Sequence, residues 1–172
     1  MKDSIDYYVI DSCSLIELNR KYPLVVFPGV WRNVEKLIND GLLVAPKEVL
    51  REIENGDDEV KIWAKKQKKL FKELNENQIN IAKDILKKYP ALAKSNSLTP
   101  VADPFVIALA IEMGKDPQMT LIETIKKRII VTEESLSGNK IKIPFVSDKY
   151  GIECIFLVEM FKREGWRFEN VN

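Results

Sequence analysis

Apolar residues along the chain alternate between two rhythms. Short solid runs, "YYVI" from Tyr7, "LLVA" from Leu42 and "RIIVT" from Arg128, are rich in β-branched and aromatic residues and read as brief buried strands. Between them lie stretches with helical spacing. "SLIEL" follows the first strand, and "FPGVWRNVEKLINDG" carries a stripe of Val30, Val34, Leu37 and Ile38 between Pro28 and Gly41. "PKEVLREIENG" reads as a helix opened by Pro46 and closed by Gly56. A long polar helix is expected over about residues 57–74, and another over roughly 77–88. "DPFVIALAIEMG" reads as a helix with Asp103 at its N-cap, Pro104 at its first position and Gly114 at its end. "KDPQMTLIETIKKR" reads as a loop with a helical turn. "PFVSDKYGIECIFLVEMFKREGW" predicts a helical turn, a short strand at residues 153–155 and a last helix ending at Gly165. Strands alternating with helices indicate an α/β fold with a short, mainly parallel central sheet. No internal repeat or linker divides residues 1–172, so a single domain is expected.

Composition narrows the chemistry. No apolar run approaches the roughly 20 residues that span a bilayer. The start "MKDSIDYYVID" lacks the features of a signal peptide, and Cys13 and Cys154 form no CxxC pair; together these point to a reducing cytoplasm. Histidine is absent. Ser-His-Asp triads, histidine general bases and histidine-ligated zinc are thereby excluded. Any catalysis falls to carboxylates, lysines, hydroxyls or a hard metal ion. A formal net charge of +1 argues against bulk electrostatic binding of nucleic acid and leaves a local basic surface open.

Carboxylates stand at suggestive places. Asp11 ends the first strand, Glu52 lies in the helix after the second, Asp103 opens an almost wholly apolar helix, and Glu133 and Glu134 directly follow "RIIVT". Sites in open parallel sheets form at the carboxyl ends of the strands, so these acids can converge on one cleft. Each also has a plainer role: Asp11 and Asp103 as helix caps, Glu52 as one charge on an amphipathic helix, the glutamate pair as a solvated loop. Their order along the chain, and the apolar residues beside each, favour a site.

The set resembles a PIN domain, the nuclease fold of many prokaryotic toxin–antitoxin ribonucleases. The matching residues are "YVIDSCSLI", "APKEVLREI", "ADPFVIALA" and "IIVTEES", and the tail "KIPFVSDKYGIECIFLVEMFKREGW" is similar to a PIN-like subfamily of prokaryotic proteins. The resemblance implies a three-layer α/β/α fold and an acidic cluster that binds Mg²⁺ or Mn²⁺. It assigns ligand and catalytic roles to Asp11, Glu52 and Asp103. The family's fourth acid follows a strand as Thr-x-Asp; here Thr132, Glu133 and Glu134 fill that span, which gives the role to Glu134, one methylene longer. Ser12 matches the small hydroxyl residue after the first acid, and capping the first helix is an equal reading of it. The resemblance further implies cleavage of single-stranded RNA to 5′-phosphate and 3′-hydroxyl ends, a cytoplasmic toxin of a toxin–antitoxin pair, an antitoxin partner and a homodimer. A hard oxygen-rich site suits these divalent cations independently of the family.

"KIWAKKQKKLFK" interleaves lysines with Trp63 and Phe71, with Lys61, Lys65, Lys68 and Lys72 expected on one face of the 57–74 helix. The plain reading is an amphipathic helix whose lysines are solvated and whose aromatics pack in the core or a dimer contact. The functional reading is a phosphate-tracking wall beside the acids, extended by "KKR" ending at Arg128. Two other activities compete with the toxin reading: a PIN-like nucleic-acid-binding or scaffold module without turnover, and an RNA-processing nuclease outside a toxin system. A carboxylate phosphatase fits less well, because the second acid usual two residues after its nucleophile is here Cys13.

Overall fold

The structure is a computed structural model describing residues 5–56, 58–93, 101–112, 128–136, 138 and 140–168. Five strands form one sheet: β1 (Tyr8–Ile10), β2 (Leu43–Pro46), β3 (Phe71–Lys72), β4 (Ile129–Val131) and β5 (Cys154–Ile155), in the order β3-β2-β1-β4-β5. Every pairing is parallel, so the sheet goes beyond the mainly parallel one expected. β1, β2 and β4 are buried throughout, which is why their sequences are solid apolar runs rather than alternating ones.

The helices among the described residues are α1 (Ser12–Lys21), α2 (Pro28–Asn39), α3 (Lys47–Glu54), α4 (Asp58–Lys66), α5 (Glu76–Lys88), α6 (Asp103–Ile111), α7 (Ile143–Lys149) and α8 (Leu157–Arg163), with a 3₁₀ turn at Pro90–Leu92. They cover the sheet in a three-layer α/β/α arrangement. The apolar helix α6 packs on β1, β2 and β4 and is itself overlaid by α5 and α7; α1, α3 and α4 pack together. Burial on nearly every side explains why α6 has no polar stripe. Gly41 and Gly165, at φ 73° and 68°, take the left-handed conformation that ends α2 and α8 where the sequence expected each to stop. No helix among the described residues is long and apolar enough to cross a membrane.

Two expectations are corrected. The helix anticipated over residues 57–74 ends at Lys66; a turn follows, and Phe71–Lys72 is strand β3. The free edge of β2 outweighs the helix propensity of a lysine-rich run. The Ala45 N–H donates to the Leu70 carbonyl at 2.9 Å, and Leu70 is fully buried beneath it. Lys61 and Lys65 therefore lie on α4, Lys68 in the turn and Lys72 on the edge strand, so the four do not share one helix face. Trp63 packs edge-on to Trp31 at 4.8 Å and donates to Glu35, which gives it the core role.

The second correction concerns Asp103. The N-cap of α6 is Ala102, whose carbonyl accepts from the N–H groups of Phe105 and Val106, and Asp103 is the first helical residue. An acidic residue in the first turn still meets the positive end of the helix dipole. Gly114, the segment "KDPQMTLIETIKK" and most of the loop before Ala102 lie outside the described residues.

Candidate active site

Sheet order fixes where a site can form. The chain runs from β1 outward through β2 to β3, then returns across the sheet to β4 and outward to β5. The reversal lies between β1 and β4, and ligand crevices of parallel sheets open at the carboxyl ends of strands at that point. Asp11 leaves β1 and Thr132 leaves β4 on this edge. The two ends are held together by the Asp11 N–H donating to the Val131 carbonyl at 3.3 Å and by the Ser14 hydroxyl donating to the same carbonyl at 3.1 Å.

Asp11 caps α1 and also bonds across to β4. Its Oδ1 accepts from the Ser14 N–H at 2.7 Å, which caps α1, and its Oδ2 accepts from the Thr132 hydroxyl at 2.5 Å. Asp11 is 2% exposed. Burial, only partly offset by the Thr132 and Ser14 hydrogen bonds and reinforced by the nearby Glu134 charge, lifts its pKa from 3.8 to about 6. Among the described residues, no lysine or arginine pairs with Asp11, Glu52 or Glu134.

Glu52 reaches across to both neighbours. One oxygen accepts from the Ser12 hydroxyl, and the other from the Ala102 N–H at 2.8 Å. It is thus tied to Ser12, the residue after Asp11, and to Ala102, the residue before Asp103. Asp103 is half-buried at the start of α6. The Ser12 hydroxyl bonds Glu52 rather than capping α1, which is capped by Asp11.

The two glutamates after β4 diverge, as side chains leaving a strand do. Glu133 pairs with Lys21, and its Oε1 accepts from the Leu157 N–H at 2.9 Å at the start of α8. Lys21 is held above its ordinary pKa by that bond. Glu134 turns the other way. Its N–H donates to the Thr132 hydroxyl at 3.1 Å, and its Oε2 accepts from the Ile143 N–H at 3.3 Å, a long contact at the start of α7. The Thr132 hydroxyl therefore links the Asp11 carboxylate to the backbone N–H of Glu134.

The acidic field extends on both sides of this bridge. The thiols of Cys13 and Cys154 are each pushed up to about 11, first by burial and then by surrounding carboxylates that include Asp11 and Glu134. The donor set suits a hard divalent cation: its members are oxygens, and one is a buried carboxylate without a balancing cation among the described residues. As the side chains stand, no three of the described acids close around a single point. Sequence reasoning passed over Ser14 and the Ala102 N–H. The "DSCS" spacing does carry a signal for Ser14, since an N-cap aspartate engages the N–H three residues on; the bond from Glu52 to Ala102 crosses 50 residues and leaves no local mark.

The chain matches, over residues 8–168, the family described as "Domain of unknown function (DUF4411)". It belongs to that family. No curated protein matches it. The DUF4411 match runs from β1 through Phe168 and so includes every carboxylate discussed above.

Proposed function

We propose that the protein is a metal-dependent endoribonuclease acting on single-stranded RNA, with Asp11, Glu52, Asp103 and Glu134 as its acidic site. The observation that carries this reading is the bonded chain from Thr132 through Asp11 and Ser12 to Glu52 and Ala102. It holds the Asp11 and Glu52 carboxylates at the edge of the sheet where its topology reverses, with Asp103 next in sequence to Ala102 and the Glu134 backbone bonded to Thr132. Mg²⁺ or Mn²⁺, when bound, would supply Lewis acidity at the phosphate and lower the pKa of the attacking water. Asp11, Glu52, Asp103 and Glu134 would hold it. Thr132 and Ser14 fix both oxygens of Asp11, Ser12 fixes one of Glu52, and Thr132 holds the backbone of Glu134, which would join the set by turning its carboxylate from Ile143. With no histidine in the chain, proton movement at the scissile phosphate falls to water and these carboxylates.

The toxin half of a toxin–antitoxin pair, working in the cytoplasm, is the setting proposed from the PIN resemblance, with an antitoxin and a second copy of the chain as partners. A protein partner is supported by Leu24, Val25, Val26 and Phe27, a contiguous run of exposed apolar residues between α1 and α2. Lys61, Lys65, Lys68 and Lys72 remain proposed phosphate contacts, now as dispersed charges.

The test is cleavage of a single-stranded RNA with Mn²⁺, and with a chelator instead. Metal-dependent cuts leaving 5′-phosphates support the reading; a folded protein that never cuts supports the scaffold alternative. The paired glutamates sharpen it. Glu134→Gln is expected to lower turnover by about ten- to a hundredfold with little effect on RNA binding, the range for groups that place a metal or its ligands. Glu133→Gln keeps an acceptor for Leu157 and loses only the Lys21 charge pair, so it should cost no more than about 1 kcal/mol of stability and leave cleavage near wild type. Inactivity of the Glu133 variant, with Glu134→Gln active, would reverse the assignment.

A further inference from the structure

A cavity of about 340 Å³ opens beside Glu134 at the carboxyl ends of β4 and β5. Its size falls at the lower end of the ~300–1,000 Å³ typical of small-molecule pockets. Thr132 and Glu134 line it, so whatever enters lies directly against the acidic site. Its other walls are largely apolar, formed by Pro144, Ile152, Ile155, Leu136 and Phe156. Leu136 and Phe156, 66% and 50% exposed, leave large apolar surfaces in water at its rim. Two further carboxylates line it. Glu153 is engaged by Arg163, whereas the exposed Asp148 has no side-chain hydrogen bond or ion pair among the described residues.

A pocket with a flat aromatic, apolar walls and carboxylate acceptors suits a planar group that offers N–H donors. It does not suit a phosphate, which these carboxylates would repel. We propose that this cavity is the base subsite of the acidic site: it takes an unpaired nucleobase bearing an exocyclic amino group, stacked on Phe156, with Asp148 accepting from the base's N–H edge. The proposal rests on the nuclease reading and names its substrate more closely, as RNA with adenine, cytosine or guanine beside the cut. Uracil has no exocyclic amino group, and its one edge donor, N3–H, is flanked by two carbonyls that an acceptor wall repels. Phe156 immediately follows β5, and Glu134 is the third residue after β4. A base seated here therefore brings its own phosphate to the acid edge.

The test follows the methyl NMR signals of Ile152 and Ile155 in the full chain with Mg²⁺, titrated with AMP, CMP, GMP, UMP and ribose 5-phosphate. AMP, CMP and GMP are expected to shift both methyls, binding at least fivefold more tightly than UMP, while ribose 5-phosphate leaves them in place. Phe156→Ala should weaken binding of these nucleotides by about five- to a hundredfold, the range for loss of one base–aromatic stack, and Phe156→Trp should retain it. Asp148→Asn, a change at an exposed position, should erase the preference over UMP. Equal shifts from ribose 5-phosphate, silent methyls at saturating nucleotide, or an unchanged Phe156→Ala would each overturn the proposal. Silent methyls in a protein that cuts RNA would remove the subsite alone. Base-dependent shifts in a protein that never cuts would remove the nuclease reading and leave a nucleotide pocket.

Discussion

Asp11→Asn is expected to lower metal-dependent RNA cleavage by about two to four orders of magnitude, the range in which single acid–base or electrostatic groups act, while making the metal-free protein more stable above pH 6. The first effect follows from removing the charge at the centre of the bonded chain. The second follows from burial. Asparagine can still accept from the Ser14 N–H, so the α1 cap survives. The wild-type carboxylate has a folded pKa of about 6 against 3.8 ordinarily, so the folded protein binds this proton more tightly than the unfolded chain. Its contribution to stability is therefore greatest below about pH 4, declines as pH rises toward 6, and stays low above that. The difference is on the order of 3 kcal/mol, worth several degrees in Tm. Melting curves at pH 4 and pH 8 without divalent metal check it: the variant should gain on wild type only at the higher pH. A buried charge kept at a cost to stability is what a site demands and a structural cap does not. Equal pH dependence in the two proteins would leave Asp11 as a cap alone.

Glu52 is expected to show the second large effect, and its two variants should separate chemistry from architecture. Glu52→Ala leaves the Ser12 hydroxyl and the Ala102 N–H without their acceptor, at a cost of about 1–3 kcal/mol for a group left unsatisfied away from water. It also frees the start of α6, where Asp103 lies. Glu52→Gln keeps a carbonyl oxygen for one of these donors and removes the charge. Both variants should lose cleavage by about a hundredfold or more, with Tm falling substantially only for alanine. Full activity in Glu52→Gln would show that Glu52 serves to hold α6 and Ser12 and carries no charge role.

Much of this arrangement was legible in the residues. β1, β2 and β4 are solid apolar runs because both faces of a parallel sheet are covered, and Gly41 and Gly165 mark helix ends because their φ values are positive. The divergence of Glu133 and Glu134 follows from their being neighbours at a strand exit. What local pattern does not carry is partnership across the fold. β3 lies in a lysine-rich stretch with good helix propensity and exists because it pairs with the edge of β2, whose Ala45 N–H donates to the Leu70 carbonyl just before it. Ala102 displaces Asp103 from the cap of α6 in a geometry anchored by Glu52, 50 residues earlier. The cleft beside Glu134 joins the ends of β4 and β5 with α7, and no motif in any one of these segments announces it.

Binding of Mn²⁺ measured by electron paramagnetic resonance, on wild type and on the Asp11→Asn, Asp103→Asn double variant, tests the central claim most directly. Free Mn²⁺ gives a strong signal that is lost on binding, and the readout needs neither RNA nor turnover. Wild type is expected to bind Mn²⁺ saturably above pH 6, where Asp11 is ionised, with Mg²⁺ competing, and the folded double variant to leave the Mn²⁺ signal undiminished. Equal Mn²⁺ binding by the double variant would place the metal elsewhere and contradict the account.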